Sequence, residues 1–380
     1  MFNSFYRGYS IFARLGTKNY KKGVGNTYDQ LFLSEFNISL HDYYLCILLY
    51  ATHITHGDSL PNSYYFKKES FYLKIRNIDI KNQLEQLVVN LSTTPDKLTT
   101  LLTNNNKDDK ELAFKRALRD TPIIDLPDGL SVLSDATYFI DDFISKGILF
   151  CLSKMPDKTS NTVFANYGDC FESYVGELLE MRHQTGELTK HTKLSHNKGK
   201  NETDELEVDF LVELDNNTKI IYEIKAVLIN ESNELMDEIE KKYDKAIKQL
   251  TNRINCFKEN NNIIYPVLVV QDKFIATCEF LLKENLKKEL ALCELKKEKT
   301  IHPLIIISVE TLELLPVTVD LFVIFKEYHD IKNNQGGIGD NFCDFISSPE
   351  YKYGTDTSEK TLDKMTELLS ETQKRMFGAV

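Results

Sequence analysis

The chain has 380 residues, of which 42% are hydrophobic and 27% charged, a composition typical of a globular protein long enough for two domains. It carries 46 basic and 57 acidic residues, and this net charge of −11 excludes a generally basic nucleic-acid coat protein. Residues 1–150 hold 17 residues of each sign, so the whole acidic excess lies in residues 151–380, with 29 basic and 40 acidic residues.

The seven cysteines are scattered, and no pair has the Cys-X-X-Cys spacing. This distribution favours a reducing, cytoplasmic compartment over a disulfide framework or a zinc knuckle. The longest apolar runs, such as Tyr43–Ala51 and Leu304–Val309, are far shorter than the roughly 20 residues that a membrane span needs. No membrane partner is therefore expected.

Residues 1–155 are predicted to form a mainly helical accessory domain. Ser39 is suited to cap a helix over Leu40–Thr52, and Thr94 followed by Pro95 predicts the start of another helix that extends to about Leu102. A chain-breaking segment that contains Met155 and Pro156 predicts a domain boundary. The other elements predicted before it are helices over Lys110–Arg119 and Asp135–Ser145 and a strand over Ile148–Leu152.

Residues 163–330 predict an α/β domain with a central mixed sheet flanked by helices. A helix over Phe164–Arg182 precedes two strands over residues 207–214 and 219–228, which turn residues Asp215–Asn217 connect. A long amphipathic helix follows, with an apolar stripe made of Leu235, Ile239, Ala246, Leu250, Ile254 and Phe257. The remaining predictions are strands over Ile263–Val270 and Leu304–Val309, a helix over Ala276–Lys297 between them and, in residues 331–380, a loop over Asn333–Asn341 and an amphipathic helix over Thr357–Met376.

The predicted hairpin carries acids on one face. Side chains alternate between the two faces of a strand, so Asp209 shares a face with Leu211 and Glu213, and Glu223 shares one with Lys225. A turn centred on Asn216 pairs Glu213 with Lys219, Leu211 with Ile221 and Glu207 with Lys225, and it places Asp209 opposite Glu223. Two facing carboxylates require a cation, a shared proton or a nearby base, and Mg²⁺ binds carboxylate oxygens. The alternative is a solvated face with incidental acids, and a half-residue shift of the turn removes the direct opposition.

Asp209, followed after thirteen residues by Glu223-Ile-Lys225 on an apolar strand, resembles the restriction-endonuclease-like, or PD-(D/E)xK, nuclease superfamily. The resemblance covers roughly residues 163–270. It includes the upstream helix, in which Glu172 matches the family's acidic residue best and Glu177 is the second choice. Val208 stands where the family's name-giving proline would be.

The resemblance implies a restriction-endonuclease-like core and a metal-dependent endonuclease, a phosphodiester hydrolase. Glu172, Asp209 and Glu223 would bind Mg²⁺, for which Mn²⁺ can substitute, and Lys225 would assist the attacking water. DNA is the expected substrate, and a prokaryotic restriction or anti-phage defence setting is implied. The alternatives are a catalytically inactive DNA-binding or regulatory protein with the nuclease fold, and an RNA-directed nuclease.

The segment Arg182–Lys200 is basic, with Glu187 as its one acid. It is interpreted either as a flexible loop that contacts phosphates or as a solvent-exposed insertion. On the long helix, lysines at i, i+4 and i+7 either follow a phosphate backbone or form a soluble face. Gln249 resembles a glutamine that some family members carry on this helix, or is a solvated residue. The candidate nucleic-acid contacts are Lys190, Lys193, Lys198, Lys200, Lys241, Lys245, Lys248 and Gln249.

Two segments are candidates for protein–protein contacts. The N-terminal domain is interpreted as a sensor, specificity or dimerisation module. The C-terminal helix, which contains Leu362, Met365, Leu368, Leu369 and Met376, either packs on the core or mediates self-association. A homo-oligomer or a complex with a partner protein is therefore compatible with the sequence.

Overall fold

The fold is that of a mixed α/β protein, seen in a computed structural model. The chain divides into two compact units, Met1–Cys170 with Glu359–Val380 and Phe171–Ser358. The structure describes residues 2–16, 27–56, 65–66, 75–104, 110–135, 138–139, 143–152, 157–199, 202–215, 217–227, 235–257, 262–271, 279–292, 300–335, 341–348, 350–354, 363, 366–371 and 374.

The first unit is mainly helical where it is described, as the sequence predicts. Its helices are α1 (Phe2–Gly8, continued by a π-helical turn over Tyr9–Leu15), α2 (Tyr28–Phe36), α3 (Leu40–His56), α4 (Ile78–Asn90), α5 (Pro95–Asn104), α6 (Lys110–Asp120) and α7 (Ile144–Leu152). A small sheet in the order β1-β4-β3-β2 is formed by β1 (Tyr65–Phe66), β2 (Ser92–Thr93), β3 (Ile123–Asp125) and β4 (Ser131–Leu133). The predicted caps are present, since Ser39 Oγ accepts from Asp42 N at 3.0 Å and Thr94 Oγ1 accepts from Lys97 N at 3.4 Å.

The prediction of a strand before residue 155 is wrong. The strand predicted over Ile148–Leu152 is the second half of helix α7, whose residues Ile144 and Ile148 are both buried at the i, i+4 spacing of one helix face. Met155 and Pro156 of the predicted chain-breaking segment lie outside the described residues, and the part from Asp157 onward is helical. Helix α8 runs over Asp157–Arg182.

The second unit contains the predicted mixed sheet, built from six strands among the described residues. Its strands are β5 (Glu187–Gly199), β6 (Glu202–Glu213), β7 (Thr218–Lys225), β8 (Ile263–Val270), β9 (Thr300–Ile301) and β10 (Ile305–Ser308). The order is β10-β8-β7-β6-β5, with β9 beside β8. Strand β6 runs antiparallel to both of its neighbours, β5 and β7. Strand β8 runs parallel to both β7 and β10. Its other helices are α9 (Leu235–Cys256), α10 (Glu279–Leu292), α11 (Val309–Leu314), α12 (Leu321–Gln335) and α13 (Phe342–Ile346).

The register of the β6–β7 hairpin is the one that a turn centred on residue 216 predicts. Glu213 pairs with Lys219 and Leu211 pairs with Ile221. Lys219 Nζ donates to Glu213 Oε1 at 2.6 Å. Asp215 Oδ1 accepts from the backbone N–H groups of residues 217 and 218 at 2.7 and 2.6 Å, so a side chain closes the turn and fixes the register.

The segment predicted as a flexible basic loop is largely a strand. Residues 187–199 form β5, which pairs with β6 along its length, including Leu188 with Val212 and Thr192 with Val208. Lys190 and Lys193, which the sequence placed on a loop, therefore lie on the edge strand of the sheet.

Helices cover both faces of the hairpin. On one face Leu211 and Ile221 pack against residues of the apolar stripe of α9, of which Ala246, Leu250 and Ile254 are fully buried. The middle of this face is therefore buried, whereas Glu207 and Glu213 toward its ends are exposed. On α8 a Cβ atom at Gly176 would lie 2.5 Å from Phe210 Cζ, so the absence of a side chain there lets the helix approach β6 closely.

Several predicted features lie outside the described residues. These are Lys200, part of the Asn333–Asn341 loop, most of the C-terminal helix, and the side chains of Lys198 and Lys241. Where the C-terminal segment is described, residues 366–371 are helical and Leu368 is buried. None of the helices in the described ranges combines the length and the apolar composition that crossing a bilayer requires.

Candidate active site

The candidate site begins where the regular pairing of β6 with β7 stops. The last described pair of this ladder is Phe210 with Tyr222. One residue further on, Asp209 Oδ2 accepts a 2.8 Å hydrogen bond from the backbone N–H of Ile224. The carboxylate thus satisfies a backbone donor of β7, and this bond fixes the Asp209 side chain against the strand that carries Glu223.

Glu223 is the most deeply buried of the predicted site residues, with a fully inaccessible side chain. Its Oε1 atom contacts Lys225 Nζ, and its Oε2 atom contacts Arg253 Nη1. Burial of an unpaired carboxylate costs several kcal/mol, about 3–5 when a partner of a buried ion pair is removed. Lys225 and Arg253 are therefore the partners that this buried carboxylate requires.

Arg253 brings the two predicted acids together. Its Nη2 atom donates to Asp209 Oδ1 at 3.3 Å while its Nη1 atom contacts Glu223, and its side chain is only 7% exposed. The repulsion predicted between Asp209 and Glu223 is thus relieved by a guanidinium between them. Burial lowers the pKa of Arg253, and the nearby carboxylates, Asp209 first, counteract this effect.

Lys225 lies beside the same cluster, two residues after Glu223 on β7. Its side chain is 22% exposed, so it borders the solvent on one side. Burial lowers the pKa of Lys225, and the negative charges of Asp209 and Glu172 oppose that shift. The lysine is the most accessible part of the Asp209–Glu223–Lys225–Arg253 cluster.

Glu172 reaches the cluster from helix α8. Its Oε1 atom lies 3.8 Å from Lys190 Nζ and 3.3 Å from His191 Nε2. It also interacts electrostatically with Lys225 and Arg253. Glu177, the second choice for this position, is five residues further along the helix and so points about 140° away from Glu172. These contacts favour Glu172 as the acid that belongs to the site.

His191 is a neighbour of the site that the sequence did not single out. Its ring contacts Glu172 through Nε2 and Glu207 through Nδ1, the latter at 2.5 Å. Glu207 is therefore engaged by His191, and Lys225, its predicted partner, contacts Glu223. The backbone of His191 has φ of +51°, in the left-handed region that non-glycine residues seldom adopt. This conformation interrupts β5 between the pairs made by Lys190 and Thr192.

The candidate nucleic-acid contacts have different surroundings. Lys190 lies over the Phe210 ring at 5.4 Å as well as near Glu172. Lys193 is exposed on β5, and Lys245 is exposed on α9. Lys248 is exposed and pairs with Asp244 at 2.7 Å, so its charge is balanced locally. Gln249 is half-buried on the same helix as Arg253.

Arg182, at the start of the basic segment, has a structural role. Its side chain is almost completely buried. It donates to the backbone carbonyl oxygens of Leu178, Glu313 and Leu315 at 3.0 to 3.2 Å. The guanidinium ties α8 to the segment around α11 and is not available to a phosphate.

Arg253 was missed although the sequence contains a signal for it. It is seven residues after Ala246, a member of the apolar stripe of α9, and the i, i+7 spacing places both residues on the helix face that meets the sheet. An arginine at such a position needs an anionic partner. The sheet that α9 covers supplies two.

No protein-family model, curated protein or solved structure matches this chain. Within the described ranges, no set of three or more His, Cys, Asp or Glu side chains has the arrangement of a metal site.

Proposed function

We propose that this chain is a metal-dependent nuclease that hydrolyses phosphodiester bonds in DNA. The observation that carries the proposal is the convergence of Asp209 and Glu223 on one buried cation position, with Lys225 alongside. The order of a helix with Glu172, a hairpin, a second helix and a parallel strand is also similar to that of restriction-endonuclease-like cores.

The donor set fits Mg²⁺, which takes carboxylate oxygens and water. Asp209 and Glu223 would hold the ion, and Glu172 lies close enough to the cluster to interact with both of its cations. A bound divalent ion would activate water and neutralise charge on the phosphate. Lys225 borders solvent next to the carboxylates and would orient the attacking water.

The substrate assignment depends on local positive charge. Lys190 and Lys193 lie on β5, the strand next to the one that carries Asp209. Phosphate contacts of this kind supply sequence-independent affinity. Because the protein is acidic overall, we expect weak non-specific binding and recruitment by a partner or trigger. The family resemblance suggests restriction or anti-phage defence in a prokaryote.

The test is digestion of supercoiled plasmid DNA and of single-stranded RNA in parallel, with Mg²⁺, with Mn²⁺ and with EDTA. We expect DNA cleavage that requires the metal and is lost in Asp209→Asn and Lys225→Met. Glu180→Gln, an exposed change on α8, is the control that should retain activity. Cleavage that persists in both site variants, or in EDTA, would overturn the proposal.

A second candidate is a nuclease-fold protein that binds DNA without cutting it. The observation that favours it is the engagement of both Glu223 oxygens by protein cations. It predicts retention of DNA in a mobility-shift assay that is insensitive to EDTA, together with intact plasmid in every digestion. Cleavage of RNA alone would instead assign the chain as an RNA-directed nuclease.

A further inference from the structure

We infer that Arg253 is a built-in counter-ion that occupies the cation position between Asp209 and Glu223 and leaves it when a divalent metal binds. This inference rests on the proposed function and adds a competition between a side chain and the metal. Its basis is one guanidinium that uses two different nitrogen atoms to reach carboxylates on two different strands.

The geometry resembles that of a bridging metal ion more than that of a surface ion pair. Arg253 is only 7% exposed, Asp209 is 16% exposed and Glu223 is inaccessible, so water screens these charges little. The planar guanidinium can serve two acceptors at once, which a lysine ammonium does less well. Removing it would leave Asp209, Glu223 and the nearby Glu172 with Lys225 as the remaining central cation.

Charge balance predicts that the guanidinium and a metal do not share the position. Four carboxylates act on this cluster, those of Asp209, Glu223, Glu172 and Glu207. With Arg253 in place, the guanidinium offsets three of them together with Lys225 and Lys190. Addition of a divalent ion would change the cluster from a deficit of one positive charge to an excess of one. Like charges at such short range repel strongly where screening is weak, so the guanidinium must withdraw from the ion.

Gln249 provides an acceptor for the withdrawn side chain. It precedes Arg253 by four residues on α9, which places the two side chains on neighbouring positions of one helix face. Its Oε1 atom is buried and accepts no hydrogen bond within the described part of the chain. A guanidinium that moves toward the N-terminal end of α9 would satisfy this atom.

The measurable consequence is a reduced affinity for metal in the wild-type protein, because the ion must displace a bound cation. We expect Arg253→Gln to bind Mn²⁺ on the order of tenfold more tightly, a change of about 1.4 kcal/mol. The same variant should have a lower Tm without metal and gain more from Mn²⁺ than the wild type does. Arg253→Lys, which keeps the charge but reaches one carboxylate less well, should be intermediate and guards against a variant that fails to fold.

The experiment is a titration of Mn²⁺ followed by the electron paramagnetic resonance signal of the free ion, with parallel thermal melts, on the full chain without DNA. Arg116→Gln is the matched control, since this exposed arginine lies in the other unit and its loss changes the net charge equally. Asp209→Asn reports whether the bound ion uses the proposed site.

The outcomes separate the two proposals. Tighter binding in Arg253→Gln, with no change in Arg116→Gln, supports the inference. Equal or weaker binding in Arg253→Gln, with binding lost in Asp209→Asn, overturns the inference and leaves the metal site intact. Binding in Arg253→Gln alone supports the inference and argues against a metal-dependent wild-type enzyme. Absence of binding in every variant overturns both.

Discussion

The backbone N–H of Ile224 donates a 2.8 Å hydrogen bond to the Oδ2 atom of Asp209, at the point where the described pairing of β6 with β7 ends. The acceptor is the Asp209 side chain, so this carboxylate is held in place by the backbone of β7, the strand that carries Glu223. The same carboxylate accepts from Arg253 through its other oxygen. The hydrogen bond from Ile224 therefore fixes the position of Asp209, and Arg253 balances its charge. Substitutions that keep one interaction and remove the other can measure the two effects separately.

Asp209→Asn and Asp209→Ala should differ in stability although both remove the charge. Asparagine retains a carbonyl oxygen that can accept from Ile224 N, whereas alanine leaves this donor unsatisfied at a cost of about 1–3 kcal/mol. We expect Asp209→Ala to have the lower free energy of unfolding in urea by at least about 1 kcal/mol. Equal values for the two variants would show that the hydrogen bond does not stabilise the fold.

Two glycines of α8 should respond in opposite directions to alanine. A Cβ atom at Gly176 would lie 2.5 Å from the Phe210 ring, whereas one at Gly168 would meet nothing within 4 Å. We expect Gly176→Ala to destabilise the protein by about 1–3 kcal/mol through overpacking. Gly168→Ala should stabilise it by about 0.5–1 kcal/mol through helix propensity.

Gly176→Ala also has a consequence for the site, since Glu172 is one turn earlier on α8. Displacement of the helix from β6 would move this acid away from Lys190 and His191. Chemical denaturation measures the stability of both glycine variants, and the Mn²⁺ titration measures the effect on the site. Gly176→Ala with unchanged stability would contradict the close packing of α8 on Phe210.

Removal of the basic groups on β5 should reduce the salt dependence of DNA binding. Each phosphate contact contributes about −0.9 to the slope of log K against log salt for duplex DNA. We expect Lys190→Ala combined with Lys193→Ala to reduce the magnitude of this slope by about 1–2 and to weaken binding for all sequences alike.

Binding should be measured in EDTA to prevent cleavage. Lys287→Ala combined with Lys288→Ala is the matched control, because both lysines are exposed on α10 and their loss changes the net charge equally. An unchanged slope in the β5 variant, or an equal loss in the control, would remove β5 from the proposed DNA-contact surface.

His183 should make the protein sensitive to mild acid. Its ring shares a 2.6 Å hydrogen bond with the Tyr222 hydroxyl, and burial lowers its pKa from 6.5 to about 4, while Asp320 partly opposes the shift. Between pH 6.5 and 4 the unfolded chain binds a proton that the folded chain does not, so stability falls as the pH decreases through this range. The loss is about 3 kcal/mol at most.

Replacement by a residue that does not titrate should remove this part of the pH dependence. We expect the free energy of unfolding of His183→Gln to decrease less than that of the wild type between pH 6.5 and 4. Their difference above pH 7, where the histidine is neutral in both states, gives the cost of the lost ring packing and of any change in the hydrogen bond to Tyr222. An equal decrease in the free energy of unfolding of the two proteins over this pH range would show that His183 is not the source of the acid sensitivity.

The sequence by itself determined the elements that depend on local order. Alternation of side chains assigned the two faces of the β6–β7 hairpin, and the apolar stripe of α9 identified its buried face. A turn centred on Asn216 predicted the register that the structure has, and the hydrogen bonds of Asp215 select it over the shifted alternative. The capping residues Ser39 and Thr94 set the starts of two helices. These features were predictable because each depends on residues within one or two turns of helix or within one hairpin.

Only the tertiary structure decided what surrounds the acids. Strand β5 has few apolar residues and acquires its structure by pairing with β6, so its basic composition suggested a loop. Arg253 is 44 residues from Asp209, and its contact depends on how α9 crosses the sheet. The hairpin pattern predicted that Asp209 and Glu223 need a cation. Long-range packing placed a guanidinium there, because a buried pair of carboxylates is stable only with positive charge within reach.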